Sequence, residues 1–208
     1  MKTKKNHLIC QFKITLNGIE PPIWRRIQVP ATYSFWDLHV AFQDAMGWLD
    51  YHLHEFRISK AQKSKIEKIG IPDDDFEKNY LAGWDIPISN YFKEPGKTAL
   101  YEYDFGDRWE HEVLLEAILL KEKAQYPKCI AGERSCPPED CRGVPGYYDL
   151  LNVLSNPNND EYQEMINWLK GHAKNYYPYE PDKFNPEHVH FDNPKKRWMN
   201  AFPEAVRR

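Results

Sequence analysis

The sequence predicts an α+β protein with a mixed, mainly antiparallel sheet, a helix packed after the first hairpin, and helices at the C-terminal end. Two pairs of segments alternate apolar and polar residues, namely 8–16 with 23–29 and 98–105 with 109–119. A helical pattern separates the pairs, and further helical spacing follows residue 146. Period-two segments combined with period-3.6 segments are typical of a sheet covered by helices.

The first hairpin comprises residues 8–16 and 23–29. Apolar residues occupy every second position of the first segment, which indicates a half-buried strand. Asn17-Gly18 is a strong turn signal, and Pro30 ends the second segment. An antiparallel pair joined by a longer loop is expected.

The first helix is predicted over residues 35–46. Ser34 is a favourable N-cap, and Asp37 three residues later completes a capping-box pattern. Gly47 is suited to the position after the last turn. A third strand is expected at 52–58, so the order begins β-β-α-β.

The middle of the chain contains the second hairpin, whose turn carries Gly106, since glycine tolerates a positive φ. Before it, residues 60–79 are polar, and Asp73–Asp75 with Glu77 form an acidic run. We interpret this segment as a solvated surface excursion.

Three helices are expected in the last third of the chain, from Tyr147 to Leu154, from Tyr162 to Gly171, and from Pro194 to Phe202. Pro194 is suited to the first helical position. We expect one domain over residues 1–208, frayed at 1–7 and 203–208.

Composition excludes several classes of protein. The net charge of −3 argues against a generally basic nucleic-acid-binding surface. The sequence has no run of 18 apolar residues, so no membrane span is expected, and the N-terminus has no apolar signal region. A cytoplasmic protein with free thiols is therefore expected. The 7 Trp, 13 Tyr and 10 Phe supply a core in this polar chain.

Five motifs occur in order along the chain: PPIWRRI at 21–27, HLHEF at 52–56, YDFGDRWEH at 103–111, CIAGERSCPPED at 129–140 and GVPGY at 143–147. Together they resemble the plasmid ORF-three-like family named from a root-inducing plasmid of the pRiA type. Relatives are also labelled passenger proteins of an insertion element. The resemblance spans about residues 8–190. It implies a prokaryotic setting of plasmids or mobile elements and no particular reaction.

Five residues are candidates for catalysis: His52, His54, Asp104, Asp107 and His111. In a strand, His52 and His54 project from the same face. If the strand of His111 is a neighbour, three imidazoles converge, which is a catalytic zinc geometry, and the aspartates are further ligands or general bases. The alternative is a polar network of histidines among aromatic rings.

A cysteine cluster offers a second metal hypothesis. Cys129, Cys136 and Cys141 have the spacing C-x6-C-x4-C within a Pro/Gly-rich loop. Such a loop can be stapled by structural zinc, although the short C-x2-C knuckle is missing. The alternative is three free thiols.

A candidate ligand surface comprises Trp24, Arg25, Arg26, Trp109, Glu133 and Tyr147. Arginine makes bidentate contacts to phosphate or carboxylate, and tryptophan offers a stacking face. The alternative is that the arginines form ion pairs across the hairpin. A second H-x-H, at 188–190, follows an Asn-Pro pair that is typical of the start of a short helix.

Known enzyme signatures are missing, including the P-loop, the dinucleotide fingerprint and the nucleophile elbow. We therefore expect a non-catalytic binding or accessory module that associates with plasmids or mobile elements, with a protein or small molecule as its partner and no membrane contact. One alternative is a metal-dependent hydrolase using the His/Asp cluster. Another is nucleic-acid binding through residues 193–208, which carry five bases against Glu204.

Overall fold

A single twisted sheet dominates the fold. The computed structural model describes residues 7–61, 65–72 and 80–203. In this part of the chain the strands are β1 Leu8–Leu16, β2 Trp24–Pro30, β3 His54–Ser59, β4 Ile66–Gly70, β5 Tyr80–Ala82, β6 Thr98–Tyr103, β7 Trp109–Leu120 and β8 Lys128–Glu133. Their order is β5-β4-β3-β6-β7-β1-β2-β8. All neighbours are antiparallel except β4 and β5, so the predicted α+β class with a mixed sheet is confirmed.

Helices follow the first hairpin and close the C-terminal part. They are α1 Phe35–Met46, α2 Gly143–Ser155, α3 Tyr162–Gly171 and α4 Pro194–Ala201. Short 3-10 turns occupy Ile88–Asn90 and Pro186–His188. Among the described residues, no helix combines the length and apolarity that crossing a bilayer requires.

Helix α1 has the predicted boundaries. The Ser34 side chain accepts a hydrogen bond from the backbone N–H of Asp37, whose carboxylate accepts one from the Ser34 backbone N–H. Gly47 follows in the left-handed conformation, with φ 84°. Ten of the twelve residues are buried, including His39 and Gln43. The helix therefore lies against the inner face of the sheet with most of its surface covered.

The pleat gives the sheet two different faces. Phe12 pairs with Ile27 and Tyr101 with His111 on the inner face, which is covered by α1. Arg25 lies opposite Ile14 on this same apolar face. Because side chains alternate along a strand, its neighbour Arg26 points to the outer face.

Three segments differ from the sequence-based expectation. The polar stretch 60–79 contributes β4, and its acidic run, Asp73–Asp75 with Glu77, lies outside the described residues. Cys129 lies in edge strand β8 and not in a loop, because this segment pairs with β2. Strand β3 begins at His54, so His52 belongs to the preceding loop. The predicted frayed ends fall largely outside the described residues.

Candidate functional site

Two features of the structure bring chemically active side chains together, and the first is a His/Asp group at the end of the sheet. The loop before β3 supplies His52, the residue after β6 is Asp104, and the loop before α2 supplies Asp140. His52 Nε2 lies 3.5 Å from Asp104 Oδ2 and 3.0 Å from Asp140 Oδ1. His172 Nε2, just after α3, lies 3.7 Å from Asp140 Oδ2.

The local backbone fixes these carboxylates. Asp104 and Asp140 both have left-handed backbone conformations, with φ 57° and 59°. Asp104 Oδ1 accepts the backbone N–H of Gly106 at 2.9 Å, which leaves Oδ2 facing His52. Asp107 lies behind this group and accepts the backbone N–H of Arg142. Burial, together with the nearby charges of Asp104 and Asp140, raises the pKa of Asp107.

The structure does not bring the three predicted imidazoles together. Among the described residues, His52, Asp104 and Asp140 form the one group of three or more metal-ligating side chains. His54 and His111 are excluded because the strand pleat directs them to the inner face beneath α1. His54 stacks on His39 with ring centroids 3.4 Å apart, and His111 packs against Trp48.

Burial sets the protonation of these core histidines. Neither ring nitrogen of His111 makes a hydrogen bond of normal geometry within the described parts of the chain, although the backbone of Tyr101 and of Trp109 lies close enough to oppose the fall in its pKa. Burial lowers the pKa of His111 to about 4. Burial, and then the charge of His39, lowers the pKa of His54 well below its ordinary value. Both rings are therefore neutral at pH 7 and belong to the aromatic core.

The second feature is a cleft of about 1000 Å³ between the end of α1, strand β2 and the segment 174–192. Residues that carry charge or reactivity in its lining include Arg25, Asp44, Cys136, Lys174, Asp182, Lys183, His188, His190 and Asp192. The Cys136 thiol is buried, and burial raises its pKa to about 12. This sulfur is consequently a thiol and not a thiolate at neutral pH.

Arg25 is the most unusual residue of this cleft. It is 1% exposed, and its guanidinium carbon lies 3.7 Å from the centre of the Phe184 ring. Its Nε donates to the carbonyl of Ala45 at 3.0 Å, and Nη1 donates to the carbonyls of Trp24 and Glu133, each at 2.9 Å. In the chain as described, no carboxylate forms an ion pair with it. Burial lowers its pKa.

The carboxylates near the cleft are already paired with other cations. Arg197 binds Asp44 at 2.7 Å and Asp192 at 2.6 Å. Asp182 lies 3.0 Å from Arg134, and Glu180 pairs with Lys183. Lys174 lines the cleft without an ion pair to any described residue. Arg25 and Lys174 are thus lining cations of this wall that have no ion pair to a described residue.

The other predicted ligand residues are dispersed. Trp24 and Arg26 lie on the outer face, where Arg26 Nε donates to Glu116 at 2.6 Å. Glu116 belongs to β7 and not to the first hairpin, and Arg25 has no ion pair to a described residue. Trp109 is buried in the core. Glu133 faces Arg25 only through its carbonyl oxygen. Tyr147 does not line the cleft, but it contacts Tyr179, which does. The Tyr179 hydroxyl donates to the Tyr147 oxygen at 3.3 Å.

The cysteines do not form one cluster in the described structure. Cys129 Sγ contacts the carbonyl of Ala131 on β8. Cys136 lines the cleft, and Cys141 is buried beside α2. The three sulfurs are separated because Cys129 lies on a strand, whereas Cys136 and Cys141 lie at different places in the following loop. All four cysteines are free thiols.

The basic C-terminal end is partly engaged in intramolecular contacts. Arg197 is occupied by its aspartate partners, and Lys195 lies beside a small surface pocket of about 360 Å³. Arg207 and Arg208 lie outside the described residues. Nucleic-acid binding by this end remains a prediction.

Comparison with known proteins identifies the family. The profile described as plasmid pRiA4b ORF-3-like protein matches residues 8–188. The chain belongs to this family. One relative, described as uncharacterized protein y4hQ of Sinorhizobium fredii, is 31% identical over 161 residues, which cover 77% of this chain and 80% of the relative.

A solved structure is also similar to this chain. It is described as a crystal structure of the protein of unknown function MM3350 from Methanosarcina mazei Go1. The TM-score is 0.78 at 39% identity, and the match covers 89% of this chain and 99% of that chain. The family and these relatives are uncharacterised proteins.

Sequence reasoning missed several residues that this ORF-3-like chain brings to its two sites. Asp140 lies within the CPPED motif, and this motif was the signal that could have identified Asp140 as a site residue. His172 follows the end of α3, and Lys174 and Phe184 lie in an irregular segment. No local pattern marks these three, because their partners are far away in the sequence.

Proposed function

We propose that this ORF-3-like chain is a non-catalytic binding module whose cleft holds a small molecule bearing a phosphate or carboxylate group. The observation that carries this proposal is the buried guanidinium of Arg25, which has no carboxylate partner in the described structure and lies in the wall of a large cleft. The family name supports a setting on plasmids, where such a module serves as an accessory protein.

A buried charge needs compensation, because leaving water costs several kcal/mol. Three backbone carbonyls compensate Arg25 in part, through Nε and Nη1. The second terminal nitrogen, Nη2, makes no hydrogen bond to a described residue. Its two N–H donors are suited to an oxyanion, since charge-assisted bonds from arginine to carboxylate or phosphate are strong.

A second lining cation lies near Arg25. Lys174 has no ion pair to a described residue, and His188 and His190 also line the cleft. The carboxylates of the lining have partners of their own: Asp44 and Asp192 share Arg197 with Asp50, and Asp182 pairs with Arg134. A volume of about 1000 Å³ is at the upper end of the range of small-molecule sites.

Binding without catalysis is supported by the state of the thiol in the cleft. Cys136 is buried, and its thiol has a pKa raised to about 12. A thiol attacks substrates as its thiolate, and reactive cysteines have lowered pKa values. Recognition by Arg25 and Lys174 is thus the chemistry that the cleft supports best.

The proposal can be tested by titrating the full chain with inorganic phosphate, sodium acetate and sodium chloride while recording amide NMR shifts. We expect saturable shifts at cleft residues such as Gly47 and Cys136 with phosphate or acetate and none with chloride. Lys174→Gln should weaken the phosphate response, whereas Lys170→Gln, on α3 outside the cleft lining, should not. Equal responses to all three salts, or identical behaviour of the two variants, would contradict the proposal.

A further inference from the structure

We propose that His52, Asp104 and Asp140 form a binding site for one divalent transition-metal ion of the zinc or manganese type. The site is independent of the anion cleft, because none of its three ligands lines that cleft. The described structure brings together one imidazole nitrogen and two carboxylate oxygens from three separate loops.

The spacing of the donor atoms fits a metal ion. Two ligand atoms bound to one tetrahedral zinc, each about 2.1 Å away, lie about 3.4 Å from each other. His52 Nε2 lies 3.5 Å from Asp104 Oδ2 and 3.0 Å from Asp140 Oδ1. All three donor atoms lie within 4.8 Å of one another. His52 Nε2 and Asp140 Oδ1 form a hydrogen bond, which an ion bound between them replaces.

The local charge also favours a cation. Asp104, Asp107 and Asp140 bring three carboxylates together at this end of the sheet. Within the described residues, their ion-pair partners are the histidines His52 and His172, with no lysine or arginine. A divalent ion supplies two positive charges to this group of carboxylates.

The donor set indicates which metals fit. Imidazole nitrogen is a preferred ligand of zinc and iron, whereas carboxylates also suit manganese and magnesium. A mixed site of one imidazole and two carboxylates therefore selects transition-metal ions over calcium. Three protein ligands leave a further coordination position open, as in catalytic rather than structural zinc sites.

Outer contacts hold the ligands in place. Asp104 Oδ1 is occupied by the backbone N–H groups of Gly106 and Asp107, at 2.9 and 3.3 Å, so Oδ2 is available for the ion. His172 Nδ1 accepts the backbone N–H of Lys174 at 3.2 Å. Since Nδ1 accepts this bond, the ring N–H lies at Nε2, which faces Asp140 Oδ2. His172 is therefore a positioning residue and not a ligand.

The test is equilibrium dialysis of the full chain against zinc chloride, and separately manganese chloride, with elemental analysis. We expect about one equivalent of bound metal per chain. Asp104→Asn keeps the Oδ1 acceptor for Gly106, so the loop is preserved while one anionic ligand is lost. This variant and His52→Gln should each weaken binding by at least about tenfold.

Matched variants distinguish this site from metal binding by the cleft or by the cysteine thiols. Asp182→Asn removes a carboxylate in the cleft and should leave metal binding unchanged. Cys136→Ser with Cys141→Ser tests the thiol alternative and should also leave it unchanged. His172→Gln should weaken binding less than His52→Gln, because it alters orientation only. A chain that binds no metal, or whose binding depends on the cysteines and not on Asp104, would overturn the proposal while leaving the anion-binding cleft untouched.

Circular dichroism shows which of these variants keep the native fold. If both Asp104→Asn and His52→Gln lose native spectra, the decisive variant is Asp140→Asn. Asp140 has a half-exposed side chain, and its loss leaves the core intact. Unchanged metal affinity in folded Asp140→Asn would also overturn the proposal.

Discussion

Arg25 stacks on Phe184, with the guanidinium carbon 3.7 Å from the ring centre. This contact joins strand β2 to the irregular segment before the second 3-10 turn. Gly132 on β8 makes the contact possible, since a Cβ at this position would lie 2.5 Å from Phe184 Cε1 and 2.8 Å from the Trp24 carbonyl oxygen. A residue without a side chain is therefore required at the base of the cleft.

Gly132→Ala is expected to destabilise the protein by about 1–3 kcal/mol, because overpacking displaces Phe184 and the strand backbone. Urea unfolding monitored by tryptophan fluorescence measures the change. Gly171→Ala is the matched control, since a Cβ there meets nothing within 4 Å. The control should be neutral or slightly stabilising at the end of α3. Equal stability of the two variants would contradict the packing described for Phe184.

Arg25→Met is expected to lower the free energy of unfolding by about 2–4 kcal/mol, because the buried Ala45 carbonyl and the partly buried carbonyls of Trp24 and Glu133 lose their charged donor. Arg26→Met, on the adjacent residue, should cost no more than about 1 kcal/mol, as its ion pair with Glu116 is solvent-accessible. Chemical unfolding of the two variants under identical conditions provides the comparison. Similar losses of unfolding free energy in the two variants would contradict the buried, hydrogen-bonded role assigned to Arg25.

His111 should make the protein sensitive to acid. Its pKa is about 4 when folded and about 6.5 ordinarily, so the unfolded chain binds the proton first as pH falls. This histidine therefore favours unfolding progressively between about pH 6.5 and pH 4, and accounts for about 2 kcal/mol of lost stability between pH 7.5 and pH 5.

Substituting this histidine tests the linkage. His111→Leu should remove that share of the pH dependence, because no titratable group remains at the position. At pH 7.5 its stability should be close to that of the wild type, since neither ring nitrogen makes a hydrogen bond of normal geometry in the described structure. Urea unfolding at the two pH values measures both quantities. His7→Gln, an exposed control, should retain the wild-type slope, and an unchanged slope in His111→Leu would refute the assignment.

Ser34→Ala should destabilise the protein by about 1 kcal/mol, because the first turn of α1 loses a capping acceptor for the Asp37 N–H. Ser34→Asp keeps an acceptor at the same place and should recover most of that loss. Thermal unfolding of both variants checks the order of stability. Equal melting temperatures for Ala and Asp would show that the cap contributes little.

Local patterns were sufficient for most of the fold. Alternation predicted both hairpins, and the Ser34–Asp37 capping box with Gly47 predicted α1 with its observed boundaries. The edge strand β8 was missed because glycine and proline near Lys128–Glu133 suggested a loop. Its strand conformation comes from pairing with β2, which is a tertiary contact that no local pattern reports.

The candidate sites were less predictable. His52, Asp104 and Asp107 were selected from the sequence and lie close together, whereas His54 and His111 pack in the core. The start of β3, two residues later than predicted, decides this, because His52 outside the strand is free of the pleat that directs His54 inward. Asp140 and His172 join the group only through the packing of distant loops.

The strand order has a consequence for synthesis on the ribosome. Strand β1 lies between β2 and β7, and its pairing with β7 joins residues as far apart as Leu8 and Leu120. At about 5–20 residues per second, one edge of the first hairpin is without its neighbour for roughly 5–20 s. During that interval the nascent chain presents an open strand edge to chaperones and to other chains. Slow translation between the two hairpins is therefore expected to increase aggregation during expression.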